Sequence, residues 1–399
     1  MSEVLLTYGW VRSSYAALRN LSKHDLSVAV SDTSKLGMCQ FSRLHDGFFK
    51  YTSHYENEDK FISDLVKICE QGNIKLILPV HNETEIIARH REKFNPSIMA
   101  CVPNHELCEL FNNKKASYEL VEKLNIPVPV RIKYNDPKEV PIKLHEQGFT
   151  RSVIKLLTGN SGKGVFYAAT PEEAQQIVEN LIYKFDLKKS RFPQVEEYIE
   201  GDGFGVSVLY WDGECIVDFS HKRLRDKVTT GGTSTLREMT SNPYIKQAAL
   251  KLFNHVGWHG LAMCEFKVCS ETGKFWFIEV NPRMWGSIPL AIAAGVEFPY
   301  LAWMCAKMGP KEAKEYHRRA ILADHWRARW LLGDLFVFLQ KCGKLQFKEA
   351  IKILVKTKSD SLDDFYIDDP LPFFGELFIY LKKIIYKRSL NPSEDGMVR

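Results

Sequence analysis

The feature that most constrains this chain is a hairpin whose two strands carry acidic side chains on one face. Phe275–Arg283 reads Phe-Trp-Phe-Ile-Glu-Val-Asn-Pro-Arg, and alternation along a strand puts Glu279 and Asn281 on the same side. Upstream, Leu261–Val268 carries Glu265, and Glu271-Thr272-Gly273-Lys274 reads as a turn. Glu265 and Glu279 lie equally far from Thr272, so a symmetric hairpin with an odd-length loop sets them opposite each other. Like charges directly opposite destabilise a sheet. A cation between them resolves the conflict, and two carboxylates with an amide oxygen suit Mg²⁺. Either glutamate alone is better explained as a solvated residue on an exposed face. The set is not.

A chain of 399 residues is too long for one ordinary core, and two to four domains are expected at ~100–200 residues each. With 45% hydrophobic and 26% charged residues it matches a soluble globular enzyme and excludes disorder, a collagen-like repeat or a coiled-coil rod. The 54 basic and 49 acidic residues are spread without long blocks, which gives no reason to expect nucleic acid. Nine cysteines form no CxxC pair, against a disulfide scaffold or structural zinc. Met1-Ser2-Glu3 leads straight into an apolar strand with no basic leader. No run approaches the ~18 apolar residues of a membrane span. These features lead us to expect a cytoplasmic protein.

The fold class expected is α/β. Val4–Tyr8, a glycine turn at Gly9, a helix over Arg12–Leu21 and a strand over Leu26–Ser31 open a parallel unit. A helix at Lys60–Glu70 and a strand at Lys75–Pro79 continue it, making residues 1–110 a doubly wound domain. The first turn lacks G-x-G-x-x-G, which argues against a dinucleotide site there. A second region, 111–195, begins with a helix at Lys114–Leu124 that the prolines after Ile126 stop. It continues with strands at Ser152–Leu156 and Val165–Ala169 around a glycine-rich loop, then a helix at Pro171–Leu181. Residues 196–309 are mostly strands with a helix at Tyr244–Val256, and 310–399 reads as a helical extension.

Three further segments carry chemistry. Lys155 ends a strand beside Thr158–Val165, where glycines let backbone N–H groups approach phosphate oxygens. The loop is not a Walker A sequence, since Val165 stands where lysine is required, and alone it reads as an ordinary hairpin. Gln194–Gly201 joins an acidic strand end to a turn whose backbone can meet a flat heterocycle. His221–Lys227 is a dense basic cluster before Gly231-Gly232, in which strand alternation places Arg223, Arg225 and Lys227 on one face. A solvated sheet edge would carry the same residues.

In this order the segments resemble the ATP-grasp superfamily, in its carboxylate–amine ligase-like branch, over roughly three-quarters of the chain. The resemblance implies two ATP-grasp subdomains (α+β) clasping ATP. It implies that Lys114 and Lys155 hold the α- and β-phosphates, and that the loop of Gly159, Ser161, Gly162 and Gly164 closes over the triphosphate. Glu196, Glu197, Tyr198 and Ile199 match the hinge that meets adenine. Glu265, Glu279 and Asn281 match Mg²⁺ ligands, with Mn²⁺ as an alternative, and Arg283 matches a residue at the transferred phosphoryl group or the acyl phosphate. Family members often bind ribose with a glutamate after the hinge. Gly203 stands there instead, leaving Asp202 or Glu200 for that task. The acceptor carboxylate is assigned to Arg223, Arg225, Lys227, Gly231 and Gly232, and Trp285-Gly286-Ser287 matches a ligase-like subgroup. The activity implied is ligation of a carboxylate, through an acyl phosphate, to an amine or similar nucleophile. Alternatives are a kinase acting on a stable acceptor and a nucleotide-binding regulatory protein.

Leu371–Arg388 is a terminal helix with apolar residues at helical spacing and lysines toward its end. It is expected to dock on the core or on a second subunit rather than on an anionic membrane surface. Asp363, Asp364, Asp368 and Asp369 just upstream are expected to be repelled by such a surface.

Overall fold

The computed structural model describes residues 2–158, 164–227, 233–355 and 359–387. The first sheet contains β1 (Val4–Leu6), β2 (Val28–Asp32), β3 (Gly47–Lys50), β4 (Leu76–Leu78) and β5 (Met99–Ala100). All pairs are parallel, in the order β3-β2-β1-β4-β5. The strands read as unbroken apolar runs because both faces are covered. Leu5, Ala29 and Ile77 enter one core, and Val4, Leu6, Val28, Val30, Leu76 and Leu78 enter another. Gly9 is required by packing, since a Cβ there would lie 2.5 Å from Val30 Cγ1. The helix Arg12–Ser22 after it packs its apolar side into the same core as the helices Ile288–Ala293 and Phe298–Lys307, tying this sheet to the rest of the chain.

A smaller antiparallel sheet holds β6 (Arg131–Ile132), β7 (Ser152–Lys155), β8 (Val165–Ala168) and β9 (Gln194–Glu197), in the order β6-β9-β7-β8. The helices Glu139–Glu146 and Pro171–Phe185 cover it. The second of these starts at Pro171, with the Thr170 hydroxyl accepting from the Glu173 N–H at 3.1 Å.

The third sheet joins β10 (Asp202–Trp211), β11 (Glu214–Asp226), β12 (Ser234–Met239), β13 (Gly260–Val268), β14 (Phe275–Asn281), β15 (Arg327–Arg329) and β16 (Ser361–Leu362). Its order is β14-β13-β10-β11-β12-β15-β16, antiparallel except for β15–β16. One face packs Val206, Val208, Cys264 and Phe277 against the helix Pro243–Val256. The other face is the wall of a cavity.

The expectation of a purely helical segment after residue 309 is corrected. It contains the helices Pro310–Arg319, Leu331–Gly343, Phe347–Val355 and Leu371–Lys387, but β15 and β16 extend the large sheet. Strands of three and two residues are too short to show alternation in a sequence.

The four upstream aspartates do not all face outward. Asp363, Asp364 and Asp369 are buried; only Asp368 is exposed, paired with Arg19 at 2.9 Å. Asp363 lies between Arg12 (2.7 Å) and Arg237 (2.6 Å), and Asp364 accepts from the Leu331 and Leu332 N–H groups. The terminal helix docks as expected on its inner side, with Phe373, Leu377 and Tyr380 against Trp330, Leu332 and Phe336. Gly375 allows it to meet the first domain, since a Cβ there would lie 2.5 Å from the Gly37 carbonyl oxygen.

Candidate active site

Glu265 pairs with Glu279 across β13 and β14, and Met263 with Asn281. The route to this register differs from a symmetric hairpin. Val268 pairs with Phe275 beside an even-length loop, and a bulge at Ile278 shifts the register by one so that Glu279 reaches Glu265. The bulge sets both Ile278 and Glu279 on the cavity wall, giving an apolar surface beside a carboxylate.

Next to this pair, β10 supplies Gly203 and Gly205. Gly205 pairs with Glu265 on one side and His221 on the other. A Cβ at Gly205 would lie 2.3 Å from His221 Cε1, and one at Gly203 would lie 2.9 Å from Arg223 Cδ. Glycine here lets two side chains of β11 lie flat across the strand. Arg223 then reaches Glu265 at 3.2 Å and Asp226 at 2.9 Å.

The basic cluster on β11 does not share one face. The β11–β12 register shifts between Arg223 and Arg225 and again between Arg225 and Asp226. Arg223 and Asp226 therefore line the cavity, whereas Arg225 turns to Asp334 (Nε to Oδ1, 2.9 Å) and Thr235 (3.1 Å). Lys227 lies 4.9 Å from the Phe336 ring and 4.8 Å from the Tyr380 ring. Neither Arg225 nor Lys227 lines the cavity.

The small sheet forms the facing wall. Lys155, 4% exposed, donates to Tyr118 at 3.0 Å and is paired with Glu196, which is 2% exposed and also accepts from Gln194 at 2.9 Å. Burial opposes the charge on Lys155, but Glu196 and Tyr118 outweigh it and hold its amine above the ordinary range. Tyr118 comes from the helix Lys114–Lys123, capped by the Asn113 side chain. At its start, Lys114 approaches Glu279 at 3.8 Å. Burial, together with Lys155 and Arg283, pushes the Lys114 pKa down against the pull of Glu279 and Glu196.

Residues 198–201 carry the chain from β9 in the small sheet to β10 in the large one. The Glu197 side chain is held by the Val130 N–H (2.9 Å), and the Arg151 guanidinium lies 3.7 Å over the Tyr198 ring. Between the two sheets is a cavity of ≈ 400 Å³. Of the residues expected at the site, Lys155, Glu196, Glu197, Tyr198, Ile199, Arg223, Glu265, Glu279, Asn281, Arg283 and Ser287 line it. Lys114, Asp202 and Gly164 do not, and Asp202 is paired with Lys222 at 2.7 Å. Gly159, Ser161, Gly162, Gly231 and Gly232 lie outside the described residues.

Electrostatics test whether these side chains suit a divalent cation. Burial pushes the Glu265 carboxyl up to about 7, with Arg223 pulling it down and Glu279 raising it further. The side chain keeps 20% of its surface exposed, so solvent moderates the rise. Asn281 donates to Glu265 at 3.0 Å. Facing carboxylates, one of them resisting ionisation, with an amide alongside, are an oxygen-donor set that a Mg²⁺ ion fits. Among the described residues no group of three or more His, Cys, Asp or Glu side chains is arranged to hold a metal ion, so any cation here also needs the amide or substrate oxygens.

Lys267 and His221 are among the cavity residues that were not expected. Lys267 follows Glu265 by two positions and donates to the Gly201 carbonyl at 2.7 Å. The same alternation that singled out Glu265 reaches it. His221 contacts the Ser287 hydroxyl at 3.2 Å, and burial with the neighbouring Arg237 and Arg223 charges pushes its pKa down to about 3. It is a neutral imidazole at ordinary pH.

The family model for the phosphoribosylglycinamide synthetase ATP-grasp (A) domain matches residues 112–254. A second, described as ATP-grasp in the biosynthetic pathway with Ter operon, matches 193–326. Acetyl-CoA carboxylase of Saccharomyces cerevisiae is 27% identical over 158 residues, which is 37% of this chain and 7% of that protein. Probable alpha-L-glutamate ligase 2 of Shewanella denitrificans is 29% identical over 150 residues, 36% of this chain and 48% of that protein. The chain thus matches less than half the length of either relative. Among solved structures, the biotin carboxylase domain of Hydrogenobacter thermophilus 2-oxoglutarate carboxylase, a dimer with MgADP, ADP and bicarbonate, has a TM-score of 0.65 at 16% identity. That likeness covers 82% of this chain and 74% of the other, and it shows a shared fold.

Proposed function

The chain belongs to the ATP-grasp superfamily, and from that premise we propose that it is an ATP-dependent ligase joining a carboxylate to an amine. The observation that carries this reading is the Glu265–Glu279 pairing, with Asn281 and Arg283 on the same wall, opposite Lys155 and Glu196. A carboxylate resists displacement by an amine, and phosphorylation supplies a leaving group. The products are then an amide, ADP and phosphate.

Each side chain has a part in this reading. Glu265, Glu279 and Asn281 hold Mg²⁺, which when bound neutralises phosphate charge. Lys155 and Lys114 bring two cations toward the same space, positioning phosphate oxygens by electrostatics rather than by covalent chemistry. Glu196 and the backbone of 197–199 meet the base, and Ile278 offers it an apolar surface. Arg223, laid over Gly203 where a ribose-binding carboxylate often stands, extends positive charge across the cavity floor. Arg283, between the metal-binding strand and Trp285, orients the acceptor carboxylate. Ser287 and the neutral His221 supply hydrogen bonds at the same end. Arg225 and Lys227 act instead on the structure around the site.

ADP release with pooled carboxylates, with and without pooled amines, tests the activity. Release that requires both pools supports a ligase. Sustained release with carboxylates or other acceptors alone indicates a kinase, and no release with any pool removes the catalytic reading.

A further inference from the structure

Of 21 large hydrophobic residues exposed among the described residues, eleven fall within 331–387. That concentration is not the scattered exposure of an ordinary surface. The helix Leu371–Lys387 is apolar on two sides. Its inner side packs on Trp330 and Phe336, while Leu371, Phe374, Phe378, Leu381 and Ile385 remain 43–73% exposed. These five recur three and four residues apart and form one stripe. The helix Phe347–Val355, which packs on Leu331–Gly343, repeats the pattern with exposed Phe347 and Ile351.

Among the described residues, the exposed charges on these two helices are mostly basic. The only acid in Leu371–Lys387, Glu376, is 2% exposed, and Lys382 is exposed beside Leu381. Lys344, Lys348 and Lys352 are exposed around Phe347 and Ile351, and Glu349 is paired with Lys341 at 2.6 Å. The sequence adds Lys383, Lys387 and Arg388. The aspartates expected to repel an anionic surface are mostly buried, as described above.

We propose that this C-terminal segment docks on an anionic lipid bilayer, with the Leu371–Lys387 stripe lying in the plane of the headgroups. Apolar residues flanked by lysines match the two parts of such a surface, acyl chains beneath anionic phosphates. A second copy of the chain fits less well, because a symmetric contact would press lysine-rich surfaces together. No helix among the described residues is long and apolar enough to cross a membrane, so the contact is peripheral.

Cosedimentation with phosphatidylcholine vesicles, with and without phosphatidylglycerol, tests this. The full chain should bind only the anionic vesicles and leave them as salt rises. The Phe374→Ser, Phe378→Ser double variant should bind at least about tenfold less. Lys344→Glu with Lys348→Glu should also release it, since the lysines act independently of helix packing. Circular dichroism and thermal unfolding check that each variant is folded. Absence of binding to anionic vesicles, or equal binding to neutral ones, would overturn the proposal. So would sedimentation equilibrium showing a dimer that the phenylalanine variant dissociates while vesicle binding is unchanged.

Discussion

Lys155 and Glu196 are each almost wholly buried, and each is compensated by the other. Removing one partner of such a pair leaves a buried charge, at a cost of about 3–5 kcal/mol. Lys155→Ala should therefore lower the urea midpoint strongly, and Lys155→Met with Glu196→Gln should recover most of the loss. An unchanged midpoint in the single variant would mean that the pair carries no stability. This departs from the solvated lysine that a strand end suggests in sequence. The residue type was legible there; its burial was not, because Glu196 comes from the neighbouring strand β9. His221 gives a pH signature. Its folded pKa is depressed, so the unfolded chain binds its proton first and stability falls as pH drops below about 6.5 toward the folded value. Replacing it with Gln should flatten that acid limb by about 2 kcal/mol between about pH 6.5 and pH 4.5. Urea unfolding across this range checks it, and parallel curves for the two proteins would contradict it.

The elements owe their functional faces to irregularities. A single bulge at Ile278 brings Glu279 opposite Glu265, and the register shifts on β11 separate Arg223 from Arg225. Alternation alone predicts three cations on one face of β11. It fails because no proline or glycine marks the shift near Leu224. The consequence concerns Asp334, fully buried between Arg225 and Arg329. Asp334→Ala should destabilise the fold by about 3–5 kcal/mol, since it leaves two guanidinium groups without their acid. Nucleotide affinity in the folded fraction should stay within a few-fold of wild type. Loss of affinity without loss of stability, seen by calorimetry alongside thermal unfolding, would return Arg225 to the binding site. Several of the larger elements were legible. The helix read at Pro171–Leu181 runs Pro171–Phe185, and the strand read at Ser152–Leu156 runs Ser152–Lys155, because capping and apolar runs of that length leave few alternatives.

At the scale of the molecule, the cavity exists because two sheets meet where the chain passes from β9 to β10. A parallel bridge between Val80 and Met284 joins the first domain to the chain next to Arg283. Asp363 locks the C-terminal segment by joining Arg12 of the first domain to Arg237 of the large sheet. The order of elements along the chain carried the superfamily resemblance, yet it contains no information on which faces are turned together. Long-range pairs such as Arg12–Asp363 are set by packing. Burial of three upstream aspartates followed from the same packing and reversed the electrostatic reading of the terminal helix. The whole arrangement turns on whether facing carboxylates on β13 and β14 hold a magnesium–nucleotide complex. Calorimetric titration of ATP into wild-type protein and Glu279→Gln, each with Mg²⁺ and with chelator, measures this without knowledge of the other substrates. The structure predicts Mg²⁺-dependent binding in the wild type and a loss of at least about tenfold in the variant. Equal, Mg²⁺-independent affinities in both proteins would contradict it.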